Sequence, residues 1–123
     1  MTLKLCGLKE IPLVKKGDNI AKIIEEDLEK ENLTLEDGDI LLIAETLISK
    51  AEGNYIKIDE LEPSEETRKI AEKCKKDPKL VEAILQESNE IVAVGPNFIV
   101  TETKHGFVCA NSGIDESNVE EGL

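Results

Sequence analysis

The sequence predicts an α+β fold, about three helices packed on a mixed and mainly antiparallel sheet, and three observations carry that prediction. Apolar residues recur at three-four spacing in three stretches, each opened by a residue able to cap a helix. Five apolar residues, Ile40-Leu41-Leu42-Ile43-Ala44, follow one another without alternation, as in a strand covered on both faces. In the last third of the chain, apolar segments are separated by connections of about three residues, which suits an antiparallel meander.

In chain order, residues 2–8 alternate Leu3 and Leu5 with polar or small neighbours and read as a first strand. Pro12 ends it, because it cannot donate to a ladder. Asp18 reads as the N-cap of a helix with Ile20, Ile23, Ile24 and Leu28 on one face and Glu25, Glu26, Glu29 and Lys30 on the wet face. The turn Glu36-Asp37-Gly38-Asp39 launches residues 40–44, the strand expected at the centre of the sheet. Ser64 caps a second helix bearing Thr67, Ile70, Ala71 and Cys74 inward and closing on Lys73, Lys75 and Lys76, as the helix dipole favours. Asp77-Pro78 forms the cap and first turn of a third helix, with Leu80, Val81, Ile84 and Leu85 inward. Strands over residues 90–94, 98–103 and 107–110 then alternate with turns at Gly95-Pro96-Asn97 and Lys104-His105-Gly106. Five or six strands are expected in all, in an order the sequence does not specify.

Composition excludes several functions. At 123 residues the chain fits one domain and can bury roughly two-thirds of its unfolded surface. With two Phe, one Tyr and no Trp, the core must be aliphatic, and no aromatic platform exists for stacking bases. Twenty-seven acids against fifteen bases give a formal charge of −12, which repels nucleic acid and anionic membranes alike. No apolar run approaches the ~18 residues of a membrane span. The three cysteines, Cys6, Cys74 and Cys109, form no C-x-x-C pair and read as small buried hydrophobes of a reducing cytoplasm. His105 reads as a turn residue, and a single histidine makes no zinc site.

Two patches have residues suited to chemistry. Thr46, Ser49 and Lys50 follow the expected central strand, at the end where open α/β sheets hold ligands. Lys50 there can offset phosphate charge, or it can be a solvated lysine in a loop. The second patch is Asn111-Ser112-Gly113-Ile114-Asp115-Glu116-Ser117-Asn118, where a carboxylate, a hydroxyl and an amide follow the last strand within a few residues. Such oxygens suit a hard cation, and equally the N-cap of a short helix through Glu120 and Glu121. One carboxylate is too few for a tight site, so further ligands must come from elsewhere. Phosphate cradles of the Walker and dinucleotide-binding types are absent from the sequence, as is the nucleophile elbow of hydrolases.

Several motifs together carry a resemblance. Ile11-Pro12-Leu13, the pair Gly17-Asp18, the run Asp37-Gly38-Asp39-Ile40, the segment Leu47-Ile48-Ser49-Lys50-Ala51-Glu52-Gly53 and the stretch from Ala110 to Val119 resemble the amino-terminal half of the coenzyme F420-0:L-glutamate ligase family. The likeness runs through essentially the whole chain in the same order; Ser112 stands where alanine is frequent in the family. The resemblance implies a GTP-dependent ligase that activates a carboxylate of the deazaflavin precursor as an acyl phosphate and joins L-glutamate to it by γ-linked amide bonds. It implies that Ile11, Pro12, Leu13, Val14, Glu45, Thr46, Lys50 and Asn118 contact the guanine nucleotide and that Asp115 is a divalent-metal ligand, with no catalytic residue assigned in this chain. It further implies Mg²⁺ or Mn²⁺, a monovalent cation such as K⁺, F420-0, L-glutamate and GTP as small-molecule partners, and a homodimer.

On this reading residues 1–123 are the amino-terminal part of a longer ligase, inactive alone. The alternative is a non-catalytic acidic interaction domain that docks a basic partner in a salt-dependent way, without need of GTP, metal, Lys50 or Asp115. A metal-dependent phosphohydrolase would need a second carboxylate cluster or a metal-binding histidine, and the sequence offers neither.

Overall fold

The structure, a computed structural model, describes residues 1–117 and 119, which divide into two units, Met1–Tyr55 and Ile56–Leu123. In the first unit two helices form. Helix α1, Ile20–Lys30, starts at Asn19, whose side chain accepts from Lys22 N at 3.1 Å. Asp18, the expected cap, instead accepts from Lys15 N at 2.7 Å and closes the preceding turn. Helix α1 buries Ile24 and Asp27. Helix α2, Glu45–Glu52, was expected to be loop. It ends in a Schellman closure: Gly53 N donates to Lys50 O at 3.1 Å and Asn54 N to Ser49 O at 2.9 Å. Gly53 sits at φ 73°, a conformation that favours glycine.

Two expected strands are not formed. Among the described residues, no backbone hydrogen bond involves residues 1–8 or 40–43, and Ile40 and Leu42 are 84% and 82% exposed. A strand is held by its ladder and by the faces it covers, and neither segment has a neighbouring strand here. Among the described residues the sheet therefore has three strands, where five or six were expected. Cys6 is exposed for the same reason, contrary to the expectation of burial; Cys74 is buried and Cys109 half-buried.

The second unit follows the sequence closely. Helix α3, Glu65–Cys74, is capped by Ser64, whose hydroxyl accepts from Thr67 N at 3.1 Å. Helix α4, Pro78–Gln86, is capped by Asp77, which accepts from Lys79 N at 2.7 Å and Leu80 N at 3.3 Å, with Pro78 where a missing N–H costs nothing. A 3-10 turn at Ile58–Glu60 is tied to α4 by Lys79 Nζ, which donates to Asp59 O at 2.8 Å. Strands β1, Ser88–Gly95, β2, Phe98–Thr103, and β3, Val108–Ala110, form an antiparallel meander in the order β1-β2-β3. Ile99 and Thr101 of β2 point inward at the two-residue period. Ala71 and Cys74 of α3, Val81 and Ile84 of α4 and Ile99 of β2 make the core. Each of the branched residues contributes roughly 1.5–3 kcal/mol by leaving water. Among the described residues four helices and one antiparallel sheet confirm the α+β class, with one helix more than expected.

Candidate functional site

The residues expected at a nucleotide lie in the first unit. Thr46, Ser49 and Lys50 stand at i, i+3 and i+4 on α2, hence on one face, and all three are half-buried. Glu45 opens the helix and is exposed. Lys50 lies in the last turn, where its charge also complements the helix dipole. Ile11 and Val14 are half-buried, Pro12 and Leu13 exposed.

The segment carrying residues 11–14 is fastened at both ends. Before it, Lys9 N donates to Glu31 Oε1 at 2.7 Å and Glu10 N to Asp27 Oδ2 at 3.4 Å. After it, Gly17 N donates to Ala51 O at 2.8 Å, and the stem of Lys16 lies against Gly53. The turn following Val14 is thus tied to the helix that carries Thr46 and Lys50, which brings the two groups of sequence-predicted residues into one assembly. Asp27 is 1% exposed and its Oδ1 has no partner among the described residues. A carboxylate held so is costly, so this strap is a demanding piece of the unit.

Asp115 lies in the second unit. The chain reaches it through Asn111–Gly113, three successive residues with left-handed φ of 54°, 53° and 76°. For Asn111 and Ser112 this conformation costs roughly 1–2 kcal/mol each. Ile114 then packs against the core. Asp115 is exposed, and its Oδ1 accepts from Ser117 N at 2.9 Å, a local turn in which the side chain stands in for a backbone acceptor. The Ser117 hydroxyl, and after it the Ser117 amide, hold the Asp115 carboxyl below its ordinary 3.8, so it is ionised at neutral pH. Asn118 lies outside the described residues.

An ionised, accessible carboxylate oxygen fits one position around Mg²⁺ or Mn²⁺, whose remaining positions go to other oxygens. Among the described residues no three His, Cys, Asp or Glu side chains gather as a metal cluster. Asp115 is therefore one candidate ligand and not a complete site.

Residues 9–123 match the family model described as F420-0:Gamma-glutamyl ligase. The chain belongs to the F420-0:gamma-glutamyl ligase family. It is similar, at 58% identity over all of its length and 49% of the relative's, to the Coenzyme F420:L-glutamate ligase of Methanothermobacter thermautotrophicus. Against the protein of that name from Methanocaldococcus jannaschii the identity is 53%, over 98% of this chain and 47% of the relative. Against that of Archaeoglobus fulgidus it is 40%, over 99% and 47%. The chain thus spans about half the length of the curated relatives it matches. Membership bears out the resemblance drawn from the motifs around Leu13, Lys50 and Asp115.

Three features were not foreseen. Helix α2 could have been found, because Glu45, Leu47, Lys50, Ala51 and Glu52 are good helix formers followed by Gly53. The sequence alone assigns no role to Asp27 and Glu31, and nothing local distinguishes a strap from a solvated carboxylate. The hydroxyls of Ser88, Thr101 and Ser112, which meet inside the second unit, are far apart in sequence and leave no local signal.

Proposed function

We propose that this chain is the amino-terminal part of a cytoplasmic GTP-dependent ligase that adds L-glutamate to the coenzyme F420 precursor, F420-0, through γ-linked amide bonds. The observation that carries the reading is family membership over residues 9–123, joined to 58% identity with a relative named for that ligation. A terminal carboxylate of the precursor attacks the γ-phosphorus of GTP, giving an acyl phosphate and GDP. The amine of L-glutamate then attacks the acyl carbon, phosphate leaves with the C–O bonding pair, and the nitrogen gives up a proton as the amide forms.

In this reading residues 11–14 receive the guanine nucleotide, with two apolar side chains exposed on a segment pinned at both ends. Glu45, Thr46 and Asn118 supply polar contacts to it. The half-buried Lys50 offsets phosphate charge where reduced solvation strengthens the attraction. Asp115 offers an oxygen to a divalent cation, Mg²⁺ or Mn²⁺, which would neutralise the charge that grows during phosphoryl transfer. A monovalent cation such as K⁺ and a homodimeric assembly complete the proposal. In this reading the chain by itself does not catalyse, because it spans about half the length of the relatives and Asp115 needs further oxygen ligands around a divalent cation.

The mechanism is tested with precursor carrying ¹⁸O in its terminal carboxylate, using this chain joined at residue 123 to the remainder of the Methanothermobacter relative. The account expects one labelled oxygen in the released phosphate and an absolute need for GTP. Unlabelled phosphate alongside glutamylated product would exclude the acyl phosphate.

A further inference from the structure

Three elements of the second unit, α4, β1 and β2, converge on one hydroxyl. Ser112 Oγ lies 2.5 Å from Ser88 Oγ of β1, 2.6 Å from Thr101 Oγ1 of β2 and 3.1 Å from Ile84 O of α4. Ser88 Oγ lies 2.5 Å from the same Ile84 carbonyl, which belongs to the last turn of α4 and so has no partner within its helix. Four contacts share three hydroxyl protons, because each serine or threonine donates once. The three shortest contacts assign them: Thr101 donates to Ser112, Ser112 to Ser88, and Ser88 to Ile84 O. Thr101 is fully buried, so this chain of donors is closed to competing water at its head.

Ser112 is also the middle of the three left-handed residues before Ile114 and Asp115. Local preference opposes that conformation, and the hydroxyl chain opposes its relaxation. Ile114, packed on the core with its amide donating to Asn111 O at 3.0 Å, pins the other side of Gly113. Asp115 is the first exposed carboxylate beyond these two anchors.

We propose that Ser112, held by Thr101 and Ser88, is the positioning residue for Asp115: it locks the left-handed turn and so fixes where the carboxylate stands for a cation. The proposal rests on the reading of Asp115 as a cation ligand.

The test uses the 123-residue chain with Thr101→Val, which removes the first donor at nearly constant shape, Thr101→Ser, which restores it, and Ser112→Ala, which carries the test should the valine variant fail to fold. Amide hydrogen exchange is followed by NMR on this chain, and Mn²⁺ binding by water-proton relaxation on the same variants of the chain joined at residue 123 to the remainder of the Methanothermobacter relative, where further ligands can be supplied. Exchange at Ile114 and Ser117 is expected to rise at least tenfold in Thr101→Val and Ser112→Ala while α3 amides keep their protection, with Thr101→Ser close to the parent. Mn²⁺ binding is expected to weaken by about ten- to a hundredfold, as for other groups that orient a ligand. Unchanged exchange at Ile114 and Ser117, or an equal rise throughout α3 and α4, would overturn the proposal. A joined parent that takes no Mn²⁺, alongside the local exchange changes, would retire the metal reading and uphold the anchoring of the turn.

Discussion

Lys50 sits where two demands meet: its ammonium complements the end of α2, and its half-buried position suits phosphate charge. The first is worth about 0.3–1 kcal/mol for such a helix-end cation. Lys50→Ala should therefore lower the melting temperature only slightly while weakening GTP binding tenfold or more, read by thermal unfolding and fluorescence titration. A large loss of stability with unchanged nucleotide affinity would make the lysine structural. Asp115→Asn should behave in the complementary way, because the amide oxygen can still accept from Ser117 N while the charge a cation needs is gone. Its melting temperature should match the parent, and in the protein joined to the remainder of the Methanothermobacter relative its Mn²⁺ binding should weaken sharply. At this scale the sequence points to residues whose chemistry is their own, Lys50 and Asp115. It is silent about Asp27, Ser88 and Thr101, whose importance comes from burial and from partners 11 or more positions away.

The helices show how far local rules reach. Ser64 and Asp77 cap α3 and α4 as expected, since a cap needs only a side-chain oxygen and the next turn of backbone. The meander was legible because its turns are short, with Asn97 taking the positive φ of 67° after Pro96. Residues 40–43 misled because an apolar run reports what a strand would bury, not whether a neighbouring strand exists to receive it. Between α3 and α4 runs a contact the sequence did not reveal: Thr67 Oγ1 donates to Glu82 Oε2 at 2.7 Å, Gln86 Nε2 to Oε1 at 3.2 Å and Ser64 N to Oε2 at 3.4 Å. The Thr67 hydroxyl is the chief cause that holds the Glu82 carboxyl below its ordinary 4.5, against the opposing effect of burial. The unfolded chain then binds the proton more readily than the folded one, so this contribution is present above pH 4.5 and is lost as pH falls through the lower folded value. Glu82→Gln should flatten the acid side of the melting-temperature profile and leave the neutral side little changed. An unaltered acid limb would mean the contact does not stabilise the helix pair.

The whole molecule pairs a well-formed second unit with a first unit whose apolar segments stand open. Ile40 and Leu42, together with Leu3 and Leu5, are exposed on backbone that makes no ladder among the described residues. Such segments seek strands to pair with, and apolar burial there works against the like-charge repulsion of the −12 chain. Purified alone, the chain should form concentration-dependent oligomers by light scattering, and Ile40→Lys with Leu42→Lys should return it to monomer. Equal masses for parent and variant would show that these segments do not drive association. The relatives are about twice as long, and on the proposed reading catalysis belongs to the joined protein. The measurement that bears most directly on the account incubates this chain, joined to the remainder of the Methanothermobacter relative, with F420-0, L-glutamate, GTP and Mn²⁺, and weighs the product by mass spectrometry. Product heavier by whole glutamyl units, and only when GTP is present, is the predicted result; a folded, joined chain that yields none while the relative itself succeeds would contradict it.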